Sequence, residues 1–239
     1  MNDIAIVGRG RLGTALSRAL GAPAPLGRGA DPSDARAVLL CVPDAEIAAA
    51  AAAVTPGPLV GHCSGATALA PLAGHGRAFS LHPLMTVTER GAEFAGAGAA
   101  IAGSTPKALA FARELATRLG MRPVEIPDAD RAAYHAAASI ASNFLVTLEA
   151  AAEEVLGPDR RELLVPLVRA TVENWAALGA RDALTGPIAR GDEITVARQR
   201  RAVAERAPEL TDLFDALAEA TRRLAREGRG EAGDEGRAA

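Results

Sequence analysis

The chain has 239 residues, 49% of them apolar and only 3% aromatic, with a net charge of −3. That is long enough for one large domain or two modest ones with a sizeable core. The near-neutral balance gives no reason to expect nucleic acid or an acidic surface as partner, and no apolar run is long enough to span a bilayer.

Elements alternate through the first half. Residues 4–7 (IAIV) read as a buried parallel strand ending in a glycine turn. Residues 11–20 have helical spacing, with Leu12, Leu16 and Leu20 on one face and Gly21 as the stop. "APL" (24–26) is a weak second strand, followed by the loop 27–34. "AVLLCV" (37–42) is a buried strand that Pro43 ends, with Asp44 placed to N-cap the alanine-rich helix after it. Further strands are expected at 57–65, 77–84, 98–103 and 122–127, with a short helix after 65 and an amphipathic helix over 105–120.

After Pro127 the period changes. One unbroken helix is expected over 128–156, a second over 160–179, then a turn-rich stretch (180–192) and helices near 193–206 and 209–227. The reading is a doubly wound parallel α/β sheet of Rossmann type in 1–127, an all-helical substrate and dimerisation domain in 128–227, and a disordered tail in 228–239. No basic n-region precedes the first strand, so no signal peptide is expected and the setting is cytoplasmic. Cys41 and Cys63 read as buried thiols in a reducing compartment, and no metal site is expected.

The turn "GRGRLG" carries Gly8, Gly10 and Gly13 between a strand and a helix. Gly8 permits the tight turn, Gly10 lets backbone approach a pyrophosphate, and Gly13 lets helix and strand pack closely. The helix N-terminus then faces the phosphate charge, with Leu12 in its first turn. The bland alternative is a purely structural turn. Arg28, near the end of the second strand, suits the 2′-phosphate of NADP through a forked contact. Asp31 and Asp34 would instead favour NAD if the strand ends later. Arg9 and Arg11 add positive potential or are solvated loop residues.

Several segments together resemble the Rossmann-like proteins that carry the domain of unknown function 2520. They are "VLLCVPD" (38–44), "GHCSGA" (61–66), "SLHPL" (80–84), "YHAAASIASNFL" (134–145) and "ALTGPIARGD" (183–192). That family is similar to 6-phosphogluconate dehydrogenase-like, pyrroline-5-carboxylate reductase and prephenate dehydrogenase proteins. The resemblance implies a nucleotide-binding domain, a helical domain and a homodimer, without a substrate. Relatives in the hydroxyacid dehydrogenase branch use a lysine four residues before an asparagine. Asn143 matches that asparagine, but Ser139 stands at the lysine position, and Lys107 is the only lysine in the chain.

Proton transfer then falls to histidine. His75 sits in a loop and is expected to be solvated; His62 ends a strand without an evident role. His82, beside Pro83 at the expected sheet edge, resembles the histidine of the prephenate dehydrogenase His-Pro turn; the alternative is a histidine that pins the turn. His135, Ser139 and Asn143 are spaced i, i+4, i+8 and share a helix face, with Tyr134 and Ser142 beside it. That polar stripe faces a wet cleft or satisfies groups between domains. Thr185, Gly186 and Arg190 are candidates for a substrate carboxylate, or a structural turn. Trp175 reads as a core or interface residue, and Asp192 as an N-cap.

The expected function is an NADP-dependent reductase of a small carbonyl or imine compound carrying a carboxylate, its nicotinamide near Val42, Pro43 and Ser64. His82 and His135 are the expected proton-transfer groups, with Asn143 and Ser139 beside them. The alternatives are a non-catalytic NADP-binding sensor or structural dimer, and an enzyme using another cofactor such as deazaflavin.

Overall fold

The computed structural model describes residues 4–235, with side chains described through residue 227. The first compact unit runs to Asn143 and the second starts at Phe144.

Six strands form one sheet in chain order: β1 (Ile4–Val7), β2 (Ala37–Leu40), β3 (Leu59–His62), β4 (Ala78–Leu84), β5 (Gly98–Gly103) and β6 (Arg122–Glu125). All neighbours pair in parallel except β4 and β5, which are antiparallel. Strands β1 to β3 are short, largely apolar runs because side chains on both faces are covered. On one face Ile6, Leu39, Phe79 and Ile101 pack with Leu16 of α1 (Arg11–Leu20) and Phe111 and Leu115 of α3 (Pro106–Arg118). On the other, Val7, Val38, Leu40 and Val60 pack with Ile47, Ala50 and Ala51 of α2 (Ile47–Ala52). A strand with two buried faces has no reason to alternate apolar and polar residues.

The expected second strand at 24–26 survives only as a bridge between Leu26 and Val7. Leu26 N–H donates to the Ile6 carbonyl at 2.8 Å, and Gly8 N–H donates to the Leu26 carbonyl at 2.9 Å. Pro23 and Pro25 lack amide donors, so the pairing stops at one rung.

Three other expectations are corrected. Pro83 does not end β4, which runs on to Leu84. β3 pairs with β4 only as far as Ser80, so Pro83 lies where that side of β4 has no strand to donate to. Asp44 does not cap a helix: its carboxylate accepts from Ser64 Oγ at 2.7 Å and Thr67 Oγ1 at 3.2 Å. His75 is buried, with Nε2 3.0 Å from the Ala51 carbonyl.

The expected unbroken helix over 128–156 begins as a 3-10 turn at Asp128–Asp130 and continues as α4 (Arg131–Ser139). A π-helical turn over Ile140–Phe144 then leads into α5 (Leu145–Leu156). Residues 128–143 cluster with the sheet.

The second unit holds α5, α6 (Arg161–Ala183), α7 (Pro187–Arg190), α8 (Glu193–Arg206) and α9 (Thr211–Glu235). α6 bends at Gly179, where φ is 80°. Asp192 caps α8, accepting from Thr195 N–H at 3.0 Å and Thr195 Oγ1 at 2.6 Å. α9 continues through Glu235, into the segment expected to be disordered from 228; residues 236–239 of that expectation lie outside the described residues.

Candidate functional site

The glycine turn is held by contact with the end of β2. A Cβ at Gly8 would stand 2.1 Å from the Cys41 carbonyl oxygen, and Gly8 has a φ of +118°. A Cβ at Gly13 would stand 2.0 Å from the Gly8 carbonyl oxygen. These two glycines close the turn onto strand and helix. Gly10 differs: nothing lies within 4 Å of its Cβ position. It precedes α1, whose first turn has no side-chain cap and no acidic residue. Uncapped amides at a helix start, with open space before them, suit an anion.

Gly10, Arg11 and Leu12 line a cavity of about 410 Å³ together with Val42, Ser64 and His82. Cys41 and Cys63 also line it, as free thiols with Sγ atoms 3.7 Å apart. Pro43 starts the turn that carries Asp44. Ser64 Oγ accepts from the Thr67 amide at 2.9 Å while donating to Asp44, which fixes the 64–67 turn.

The other arginines are engaged nearby. Arg9 Nε donates to the Pro25 carbonyl at 3.3 Å. Arg28 follows the Leu26 bridge by two residues and pairs with Glu46, both side chains being exposed. Asp31 accepts from the Thr55 amide at 2.9 Å and Thr55 Oγ1 at 2.7 Å, and these bonds hold its carboxyl below the usual range.

His82 also lines a second cavity, of about 510 Å³, with Tyr134, His135, Ser139, Ser142 and Asn143. One imidazole thus borders both the glycine-turn cavity and the polar stripe. His82 Nδ1 is 2.8 Å from the Tyr134 hydroxyl, the rings meeting edge to face at 5.6 Å. The His135 ring lies 6.0 Å from that of His82. Gly65 makes room for both imidazoles: a Cβ there would stand 2.8 Å from His135 Cδ2 and 2.9 Å from His82 Cε1. The π turn carries Ser142 and Asn143, and Ser142 Oγ donates to the Ala138 carbonyl at 2.8 Å. Such turns recur where a helix must aim a particular side chain.

Sequence reading missed Arg131. It is 1% exposed at the start of α4. Its Nε donates to Asp128 Oδ1 at 3.1 Å, and its Nη atoms reach the Ser64 carbonyl and Ser80 Oγ. A lone arginine at a helix start reads as a solvated residue; nothing local marks it as a tie between β4, the 64–67 turn and the polar helix.

Burial disfavours the charged form of two histidines here, His82 and His62. Burial pushes His82 down to about 4, with the His135 and Arg131 charges adding to the effect. Burial likewise lowers His62, partly offset by its bond to the Ala68 carbonyl. His62 has a structural place: Nε2 is 3.1 Å from the Ala68 carbonyl, and Nδ1 accepts from the Ser64 amide. Burial raises Tyr134, against a smaller lowering by Arg131, so its hydroxyl stays protonated.

Thr185, Gly186 and Arg190 belong to the second unit. Gly186 has a φ of 95° and precedes α7, at whose end Arg190 stands. Among the described residues no group of His, Cys, Asp or Glu is placed to hold a metal ion, and no helix is long and apolar enough to cross a membrane.

Solved structures share this architecture. A Bacteroides fragilis protein matches with a TM-score of 0.79 at 20% identity, over 92% of this chain and 97% of that one. A Thermotoga maritima protein matches with a TM-score of 0.77 at 26% identity, over 95% of this chain and 99% of that one. A reductive aminase from Aspergillus terreus, in complex with NADPH and ethyl-5-oxohexanoate, matches with a TM-score of 0.68 at 16% identity, over 96% of each chain. At these identities the likeness establishes the fold, a Rossmann-type sheet followed by helices. No curated protein matches the chain. The profile described as "Domain of unknown function (DUF2520)" matches residues 97–221, and by that match the chain belongs to the DUF2520 family.

Proposed function

We propose that this protein is an NADP-dependent oxidoreductase that reduces a small carbonyl or imine compound, one bearing a carboxylate. The observation that carries the reading is the shared wall: His82 borders both the glycine-turn cavity and the cavity lined by His135, Ser139 and Asn143. The NADPH complex of the structurally similar reductive aminase supports the choice of cofactor.

The residues fit the cofactor. The uncapped α1 amides after Gly10 would hold the pyrophosphate. Arg28 would take the 2′-phosphate. Its pair with Glu46 is exposed, and such pairs contribute about 0–1 kcal/mol, so a phosphate dianion can displace the carboxylate. Asp31 is tied to Thr55 through both carboxylate oxygens.

NADPH, when bound, supplies hydride. The chain's task is to orient the substrate and control one proton. Neutral His82 hydrogen-bonds the reacting oxygen or nitrogen, while Asn143 and Ser139 hold the substrate. His135, exposed on the same helix, passes protons from solvent. Thr185, Gly186 and Arg190 of the second unit are our candidates for carboxylate recognition. A homodimer accompanies this reading, supported by Leu163, Leu167, Trp175 and Leu178, all more than half exposed on α6. A cytoplasmic setting suits the two free thiols.

Titration of dialysed protein with NADPH and NADH tests the cofactor. Tight NADPH binding is expected, and Arg28→Ala should weaken NADPH at least tenfold more than NADH. Binding of neither nucleotide would end the proposal; equal loss for both would remove Arg28 from phosphate recognition.

A further inference from the structure

We propose that Tyr134 is a positioning residue that fixes the tautomer of His82: its hydroxyl donates to Nδ1, so the imidazole keeps its proton on Nε2 and offers that N–H to the ligand.

The contact alone, 2.8 Å between Oη and Nδ1, permits two arrangements. Either the phenol donates to the ring nitrogen, or Nδ1–H donates to the phenol oxygen. Chemistry chooses between them. A phenol with an ordinary pKa near 10 is a far stronger acid than a neutral imidazole N–H, and an imidazole nitrogen is a far better acceptor than a phenol oxygen. The first arrangement therefore wins if the phenol is protonated and the imidazole neutral.

The surroundings enforce both conditions. Burial keeps the Tyr134 proton on and the His82 proton off. The charged and titratable groups acting on His82 are Arg131, His135, His62 and Asp44; only Asp44 favours the imidazolium, and its carboxylate is already shared by Ser64 and Thr67. Geometry holds the pair together. Gly65 leaves the ring room, its Cβ position falling 3.0 Å from His82 Nδ1. Arg131, three residues before Tyr134, ties α4 to Ser80 two residues before His82. Tyr134 is the only tyrosine in the chain. The consequence is functional: a neutral imidazole with Nε2–H acts as a hydrogen-bond donor toward a carbonyl oxygen or imine nitrogen, and not as a standing acid.

This inference rests on the reductase reading for its meaning, but its test needs no substrate. Long-range ¹H–¹⁵N spectra of histidine-labelled protein at pH 7.5, assigned with His82→Asn, report which ring nitrogen carries the proton. His82 should be overwhelmingly Nε2–H in the wild type. In Tyr134→Phe, which keeps the ring and loses the hydroxyl, the Nε2–H to Nδ1–H ratio should fall about fivefold. That corresponds to about 1 kcal/mol at 1.36 kcal/mol per tenfold, the net worth of one hydrogen bond. A wild-type His82 protonated on Nδ1 would overturn the proposal, as would a ratio unchanged by Tyr134→Phe. Should that variant fail to fold, the wild-type Tyr134 hydroxyl proton decides: it must be coupled to His82 Nδ1. NADPH titration of the same samples reads the cofactor separately, so a failed tautomer and a failed cofactor assignment are distinguishable.

Discussion

Acid should weaken this protein through His82 in a way that a single substitution can isolate. The group's pKa falls from 6.5 to about 4 on folding, chiefly through burial. At 1.36 kcal/mol per tenfold in proton affinity, the gap is worth about 3 kcal/mol. The sign follows from which state binds the proton first. As pH drops below 6.5 the unfolded chain takes up a proton that the folded chain refuses until about 4. Stability is therefore full above pH 6.5 and is lost through the window down to pH 4, with roughly 2.5 kcal/mol of the loss falling between pH 7 and 4.5. Urea unfolding followed by circular dichroism at those two values measures it. His62, also lowered by burial, contributes in the same direction, so the informative quantity is the difference between wild type and His82→Asn. The variant should be less stable at pH 7, yet lose about 2.5 kcal/mol less on acidification. An equal acid loss in both proteins would refute the burial argument for His82.

The glycine turn separates into structural and binding positions. Gly8→Ala places a Cβ 2.1 Å from a backbone carbonyl at a φ of +118°, and should cost more than about 3 kcal/mol in urea unfolding. Gly10→Ala meets no atom and should cost about 1 kcal/mol or less, while weakening NADPH at least tenfold by fluorescence titration. Comparable NADPH affinity in Gly10→Ala would mean that the pyrophosphate does not approach there. On α6, Leu167→Asp charges a 64%-exposed apolar residue. In sedimentation velocity a wild-type dimer should become monomer; an unchanged profile would exclude that face as the interface.

How much the sequence revealed depended on how local each cause is. The inner strands of the sheet were legible because a doubly buried strand is an uninterrupted apolar run, as at 37–40. The glycine spacing was legible because Gly8 and Gly13 answer to contacts made within one β-α unit and the strand beside it. Asp44 was misread because its Ser64 and Thr67 partners come from the following β-α unit, while helix capping is the nearer explanation. His75 was misread because the carbonyl that draws it inward lies 24 residues away. The π turn has no composition signal: "IASNF" is ordinary helical sequence. His82 was singled out by residue type and His135, Ser139 and Asn143 by helical spacing on one face; the cavity they share with His82 came only with the fold. Arg131 was invisible because its worth lies in three partners spread over 67 residues.

The unequal lengths of β3 and β4 carry a further consequence. Their pairing stops at Ser80, so Leu81–Leu84 form a short sheet edge on that side. Open edges invite strands from other molecules and so seed aggregation. Here the stretch is four residues long, with Leu81 and Pro83 buried, and its proline subtracts an amide donor from the edge. The same proline sits next to His82, so the rim beside the candidate site offers a foreign strand too few donors to zip onto it.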